Sequence, residues 1–287
     1  MRHRRQPSPS TRFAQSGALE IAYEVVGEGP PVLLIMGLGA SRQLWKPQID
    51  GLREHFTLIP FDNRGVGDSS VPRKPFTLED MARDAKAVLD AVGIERAHVV
   101  GVSLGGMIAQ HLALLFPEVV ERLVLCVTTP GARYALPSVD VLETLLINRG
   151  RSPRQIARDN LRLLFTPETL VAQPHIEREF VELTLANLAP LRGFVLQAAA
   201  TVSHDTLARL DRIRHPTLVL HADRDELVPL KNGELLHLHL PNSRFVILEG
   251  SAHGCFMDRA ADANGVIRRF LDGDDDPRWF AAEGFRI

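Results

Sequence analysis

Gly101-Val102-Ser103-Leu104-Gly105, followed by Gly106, sets a serine among small residues where an apolar run gives way to a helical one. A serine at such a strand-to-helix junction must occupy a strained turn, and bulky neighbours would collide where the two backbones approach. The turn lifts the hydroxyl out of the sheet, and the helix N-terminus behind it favours developing negative charge. A hydroxyl is a weak nucleophile unless a base takes its proton, and the base must be oriented by a carboxylate. Two later segments supply both. Leu218 to His221 reads as a buried strand running into Ala222-Asp223-Arg224-Asp225-Glu226-Leu227-Val228-Pro229, and Phe245 to Leu248 runs into Glu249-Gly250-Ser251-Ala252-His253-Gly254. Carboxylates and a histidine therefore follow strand C-termini, the edge at which open α/β sheets bind ligands. Both Asp223 and Asp225 are candidates for the acid.

The elements that must position these residues alternate. Leu19 to Val26 reads as a strand, and Val32–Ile35 and Thr57–Phe61 as short strands buried on both faces. Over Thr77 to Val92 apolar residues recur at Leu78, Met81, Ala85, Val88, Leu89 and Val92, a helical spacing that opens on a Thr77/Asp80 capping box and closes on Gly93. A strand at Ala97–Val102, a helix from Leu104 to Phe116 stopped by Pro117, and a strand at Arg122–Val127 continue the rhythm. Such alternation predicts a parallel sheet covered by helices on both faces. Pro130 and Gly131 interrupt it, and periodic stretches within VDVLETLLI, RQIARDNLRLLF and REFVELTLANL carry no strand signal. The rhythm resumes with Thr217–His221, Asn232–Leu240, Arg244–Leu248 and Arg259–Leu271. The expected organisation is a disordered basic tail (1–11), one α/β core (12–130 and 204–287) and a helical cap inserted at 131–203. The acidic C-terminal run is expected to be solvated, with Trp279 and Phe280 available to dock.

With serine, acid and histidine in that chain order, the sequence resembles the α/β-hydrolase superfamily on its serine carboxylesterase and enol-lactonase-like branch. The resemblance covers Arg12 to Pro130 and Asp205 to Leu271, and implies a mostly parallel sheet with helices on both faces and a helical cap. Family members carry their acid in a Gly-x-x-Asp-x-x-Val-Pro pattern; Ala222 to Pro229 matches it with Ala for the first Gly, which makes Asp225 the acid and Asp223 the fallback. A Gly-x-x-His turn matches Gly250 to His253. One oxyanion donor would be the backbone N–H of Leu104, after the nucleophile. The other would be that of Leu38 in Met36-Gly37-Leu38-Gly39, where Met36 replaces the usual histidine without touching the donor itself. The family's Asp-x-Arg-Gly loop matches Asp62 to Ser69 and is expected to be structural, with Asp62 and Arg64 satisfying backbone or each other. The other histidines are expected to be surface or satisfied core residues.

Residue types narrow the chemistry. Haloalkane dehalogenases and epoxide hydrolases place aspartate where this chain has Ser103, and the epoxide hydrolases also use cap tyrosines, of which the insertion holds only Tyr134. Carboxylesterases, lactonases, carbon–carbon-bond hydrolases and perhydrolases share the remaining machinery. The stretch from Trp45 through DNRGVGDSSVP to RLVLC is similar to 3-oxoadipate enol-lactonases, and the IMGLG loop to small methylesterases. The expected reaction is cleavage of a small-molecule carboxylic ester through an acyl-enzyme, with a lactone substrate or a non-catalytic ligand-binding role as alternatives. The Leu, Phe and Ala content of the cap fits an apolar substrate and equally fits packing of cap on core.

Bulk properties agree with such a protein. At 287 residues, 45% hydrophobic and 24% charged, the chain can build a core. Its net charge of -2 offers no field for nucleic acid or an anionic membrane. Cys126 and Cys255 are isolated and read as buried thiols, which supports neither a metal site nor a disulfide framework, and the expected acyl-enzyme mechanism requires no cofactor. The tail MRHRRQPSPSTR lacks an export signal's apolar stretch, and no window approaches the ~20 apolar residues that span a bilayer. A soluble cytoplasmic enzyme is the expectation.

Overall fold

The computed structural model describes residues 8, 10–131, 133–146, 150–274 and 286; most of the basic tail, and Trp279 and Phe280, lie outside them. The core alternates β1 (Arg12–Ser16), β2 (Leu19–Tyr23), β3 (Pro31–Ile35), α1 (Lys46–Leu52), β4 (Thr57–Phe61), α2 (Leu78–Val92), β5 (Ala97–Val102), α3 (Leu104–Leu115) and β6 (Val120–Cys126). The inserted segment carries α4 (Val139–Leu146), α5 (Pro153–Leu164), α6 (Pro167–Ala172), α7 (His175–Ala186) and α8 (Leu191–Val202). Then follow β7 (Thr217–Ala222), α9 (Lys231–His239), β8 (Ser243–Leu248), α10 (Cys255–Asp258) and α11 (Ala260–Leu271). Strand order is β1-β2-β4-β3-β5-β6-β7-β8, antiparallel through β1, β2 and β4 and parallel from β4 to β8.

Period-two side-chain alternation divides the core. Leu33, Ile35, Val99, Leu123 and Val219 face α2, α3 and α9, while Val32, Leu34, Val100, Val124 and Leu220 face α1 and α11. Helix α2 begins as its sequence predicts: Thr77 Oγ1 accepts from Asp80 N at 3.1 Å and Asp80 Oδ2 from Thr77 N at 2.9 Å, and Gly93 closes it in the left-handed conformation.

Several expectations need correction. The first sheet segment is a hairpin, β1 and β2, and Val26 makes only an isolated bridge to Leu58. Strand β1 escapes the pattern because it pairs at the sheet edge, with Phe13 exposed and only Ala14 buried. The insertion contains α6 and α8 beyond the three periodic stretches. α6 buries none of its side chains, and Gly193 stands within α8 where a glycine argues against helix. The helix expected over Arg259–Leu271 is α11, and a short helix that carried no sequence signal, α10, precedes it.

That glycine is explained by packing. A Cβ on Gly193 would stand 1.8 Å from the Gly65 carbonyl oxygen, so α8 lies directly on the Asp62–Ser69 loop of the core. Elsewhere the insertion has its own small core, in which Ala157, Leu161 and Phe165 meet Ile176, Phe180 and Val181. Its two ends are tied together by an isolated bridge between Gly131 and Asp205 and by Thr206 N donating to Pro130 O at 2.8 Å.

A buried histidine pair secures that junction. His204 Nε2 lies 3.0 Å from Thr129 O and must donate to it, which leaves Nδ1 to accept from His111 Nε2 of α3 at 3.3 Å. Burial, then the Arg209 charge, pushes His111 down to about 4 from 6.5; burial, then His111, pushes His204 down to about 4 against the pull of the Thr129 carbonyl and Asp205. The unfolded chain therefore binds more protons than the folded one between these values, and stability falls as pH drops from about 6.5 toward 4. The urea midpoint is expected to fall between pH 7 and pH 5, and His204→Gln to fall less over the same interval; equal falls would show that the pair is not responsible.

Candidate active site

Ser103 follows β5 and precedes α3 with φ 56° and ψ −119°, a conformation that costs a non-glycine residue about 1–3 kcal/mol. The surroundings enforce it. A Cβ on Gly105 would sit 1.9 Å from the Ile35 carbonyl oxygen, and one on Gly101 2.4 Å from that of Gly105, so β3, β5 and α3 meet at distances only glycine permits. Ser103 N donates to Cys126 O at 2.9 Å, and Thr128 Oγ1 donates to Ser103 O at 2.7 Å. Thr128 follows Val127, which with Ser103 makes up the non-glycine residues of positive φ among those described. No sequence pattern marked Thr128.

The loops after β7 and β8 bring the acid and histidine together. His253 Nδ1 lies 2.7 Å from Asp225 Oδ2, and both side chains are buried. Asp225 Oδ1 accepts from Leu227 N at 2.9 Å and Val228 N at 2.8 Å, which fixes the carboxylate. Asp223 is elsewhere: its Oδ1 accepts from Gly250 N at 2.7 Å and ties the two loops together. Ser103 and His253 line one cavity of about 500 Å³, although no hydrogen bond joins them among the described residues.

Leu38 and Leu104 line the same cavity, and neither backbone N–H donates to another described residue. The loop bearing Leu38 is held from the cap side. Gln197 of α8, fully buried, accepts from Gly39 N at 2.9 Å and donates to Arg64 O at 2.8 Å. Asn63 Nδ2 braces the other end by donating to Met36 O at 2.8 Å. In the Asp62–Ser69 loop the expected backbone partners are present, since Asp62 Oδ2 accepts from Asp68 N at 2.9 Å and Arg64 Nη2 donates to Asp80 O at 3.0 Å, but Asp62 and Arg64 do not pair with each other. Asp62 pairs with buried Arg42 and accepts from Arg42 N at 2.7 Å, whereas Arg64 pairs with Asp84 of α2 at 2.6 Å.

Beneath the histidine loop the two thiols are neighbours. The hydrogen bond that the Cys255 thiol gives to Cys126, then burial, holds Cys255 well above the ordinary thiol value, so it stays protonated. His221, also fully buried, gives its Nε2 proton to Val228 O at 2.9 Å, and burial lowers its pKa. Among the described residues no cluster of His, Cys, Asp and Glu could hold a metal ion. None of their helices is long and apolar enough to cross a membrane.

The arrangement is one in which a hydroxyl on a strained turn, a histidine oriented by a carboxylate and two unpaired amides converge on a cavity. Among known proteins, the family described as the alpha/beta hydrolase fold matches residues 30–260. The chain belongs to this family. It is 32% identical over 246 residues to a poly(3-hydroxyalkanoate) depolymerase of Ectopseudomonas oleovorans, covering 84% of each chain. It is 31% identical over 244 residues to a protein assigned provisionally as a carbamate hydrolase, from Azorhizobium caulinodans, covering 84% of this chain and 91% of the relative. The enol-lactonase of Burkholderia xenovorans superposes with a TM-score of 0.80 at 25% identity, covering 91% of this chain and all of the other (100%).

Two variants test the geometry. Asp225→Asn is expected to lower ester hydrolysis by about 10⁴-fold in kcat, because His253 loses its orienting acceptor. Asp223→Asn should stay within a few-fold, and the reverse order would reassign the acid. Gln197→Leu leaves the Gly39 N–H and Arg64 carbonyl unpaired and frees the Leu38 loop. It is expected to cost on the order of 100-fold in kcat with a smaller change in KM, with partial recovery in Gln197→Glu, which keeps the acceptor.

Proposed function

We propose that the protein is a serine esterase acting on neutral esters with an extended apolar acyl group. His253, its Nδ1 proton held by Asp225, takes the proton of Ser103 as the hydroxyl oxygen attacks the ester carbonyl. The amides of Leu38 and Leu104 stabilise the oxyanion, a contribution worth about 3 kcal/mol per donor. The alcohol departs with the proton from His253, and water activated by the same histidine releases the acid from Ser103. The helices of the insertion form the lid over this site.

The observation that carries the substrate class is the cavity wall. It combines Met36, Leu38 and Met107 of the core with Leu142, Ile156 and Leu183 of the insertion, and no Lys, Arg, Asp or Glu lines it among the described residues. A buried carboxylate without a cation costs several kcal/mol. This disfavours the carboxylate-bearing 3-oxoadipate enol-lactone, and a carbamate anion is both charged and far smaller than the cavity. A purely binding role would give no reason to keep a strained serine facing two unpaired amides.

The expected result is turnover of p-nitrophenyl octanoate by the wild type, abolished in Ser103→Ala. Its kcat/KM should exceed by at least tenfold that for the mono-p-nitrophenyl ester of suberic acid, whose equally long chain ends in a carboxylate. Equal rates for wild type and Ser103→Ala would remove the serine mechanism; preference for the anionic ester would remove the substrate class.

A further inference from the structure

The polar groups of this apolar wall are mostly spoken for. Beyond Ser103 and His253, Thr129 Oγ1 donates to Asn232 Oδ1 at 2.7 Å, and Asn232 Nδ2 donates to Ala135 O and Pro229 O, each at 3.0 Å. Asn187 Nδ2 donates to Leu183 O at 2.9 Å, and Thr201 Oγ1 to Ala198 O at 2.7 Å. Ser41, Asn160 and Thr184 form no side-chain hydrogen bond with any described residue, and the Oγ of Ser41 and Oδ1 of Asn160 are buried as well.

Ser41 belongs to the core beside the Leu38 loop. Asn160 is the anomaly, because its face of α5 is otherwise built to be greasy. Pro153, Ile156, Leu163 and Leu164 are its companions on the cavity side, at the three-and-four spacing of a single helix face. A leucine would complete that face. An amide there brings two donors and an acceptor with two lone pairs, and its Oδ1 is buried without a partner, a loss of hydration that nothing in the wall offsets. Thr184, on the cavity-facing stripe of α7 with Phe180 and Asn187, adds a second unpaired polar group from the facing cap helix.

We propose that Asn160, assisted by Thr184, is a specificity subsite that takes a neutral oxygen-bearing group, a hydroxyl or keto oxygen, on the acyl chain of the ester. The inference rests on the esterase reading above and adds to it where along the wall a substrate is recognised. Among the described residues the wall around Asn160 carries no charge, so a neutral group is what the subsite can accept without burying an unpaired ion. The amide's terminal torsion is close to two-fold, so Asn160 can turn either its donor or its acceptor end toward the bound oxygen. The free amide is thus a pairing site that a substrate oxygen completes, and a plain alkyl chain leaves it incomplete.

The test compares p-nitrophenyl octanoate with p-nitrophenyl octanoates hydroxylated at successive carbons of the chain. Wild type is expected to prefer at least one hydroxylated isomer by about tenfold in kcat/KM, one hydrogen bond's worth of discrimination. In Asn160→Leu, and in Asn160→Ala should the first fold poorly, kcat/KM for that isomer falls while the value for octanoate rises, so the preference inverts. Asn160→Ser, which keeps a hydroxyl, retains part of it. Absence of a preferred isomer in the wild type, or equal changes for both esters in the Asn160 variants, would overturn the subsite while leaving the esterase intact. Loss of all ester turnover in the wild type would overturn both.

Discussion

The whole site hangs on one backbone conformation, the turn at Ser103. Its φ of 56° is paid for by nothing local to the serine. It persists because β3, β5 and α3 press together at Gly101 and Gly105, and because Cys126 and Thr128 of the neighbouring β6 edge hold the peptide units on either side of Ser103. Two consequences follow from the same close approach. The hydroxyl stands clear of the sheet, and the Leu104 amide, first of the helix and without an intrahelical acceptor, is left pointing outward beside it. The two groups proposed as nucleophile and oxyanion donor are therefore products of a single packing constraint.

The insertion divides its labour by helix face. On α5, Ala157 and Leu161 meet α7 in a small dry core, while Ile156 and Asn160, each one residue earlier, turn to the cavity. Composition alone could not choose between an apolar cavity wall and an apolar interface because both are present on the same helices. The core contributes fixed chemistry and the insertion contributes shape, and Gln197 joins them by holding Gly39 from α8.

How much was legible in the sequence depended on the range of the interaction. The Thr77/Asp80 capping box, the glycines around Ser103 and the buried strands β3 to β8 are local patterns, and the structure carries each of them. The three site residues could be placed at strand ends because the alternation of elements set the edge they share. Apart from the Asp225–His253 pair, what escaped was the choice of partners across the fold. Arg42 takes Asp62 where Arg64 was the neighbour in sequence, Gln197 reaches across 158 residues to Gly39, and Cys126 lies against Cys255 although 128 residues separate them. Nothing in a single chain's composition distinguishes Asn160 from any other helix asparagine until its neighbours on α5 are seen to be apolar.

The backbone contact between Gly65 and Gly193 has a consequence for how such a chain diversifies. It rivets α8 to the core with no side chain between, and Gln197, one turn later, adds two more fastenings to the same loops. α8 therefore belongs mechanically to the hydrolytic scaffold even though it is contiguous with the cap. A graft that exchanges substrate range with a relative should take α4 to α7 as the cassette and leave α8 in place, since cutting at the sequence boundary of the insertion would remove a bolt of the catalytic frame together with the pocket.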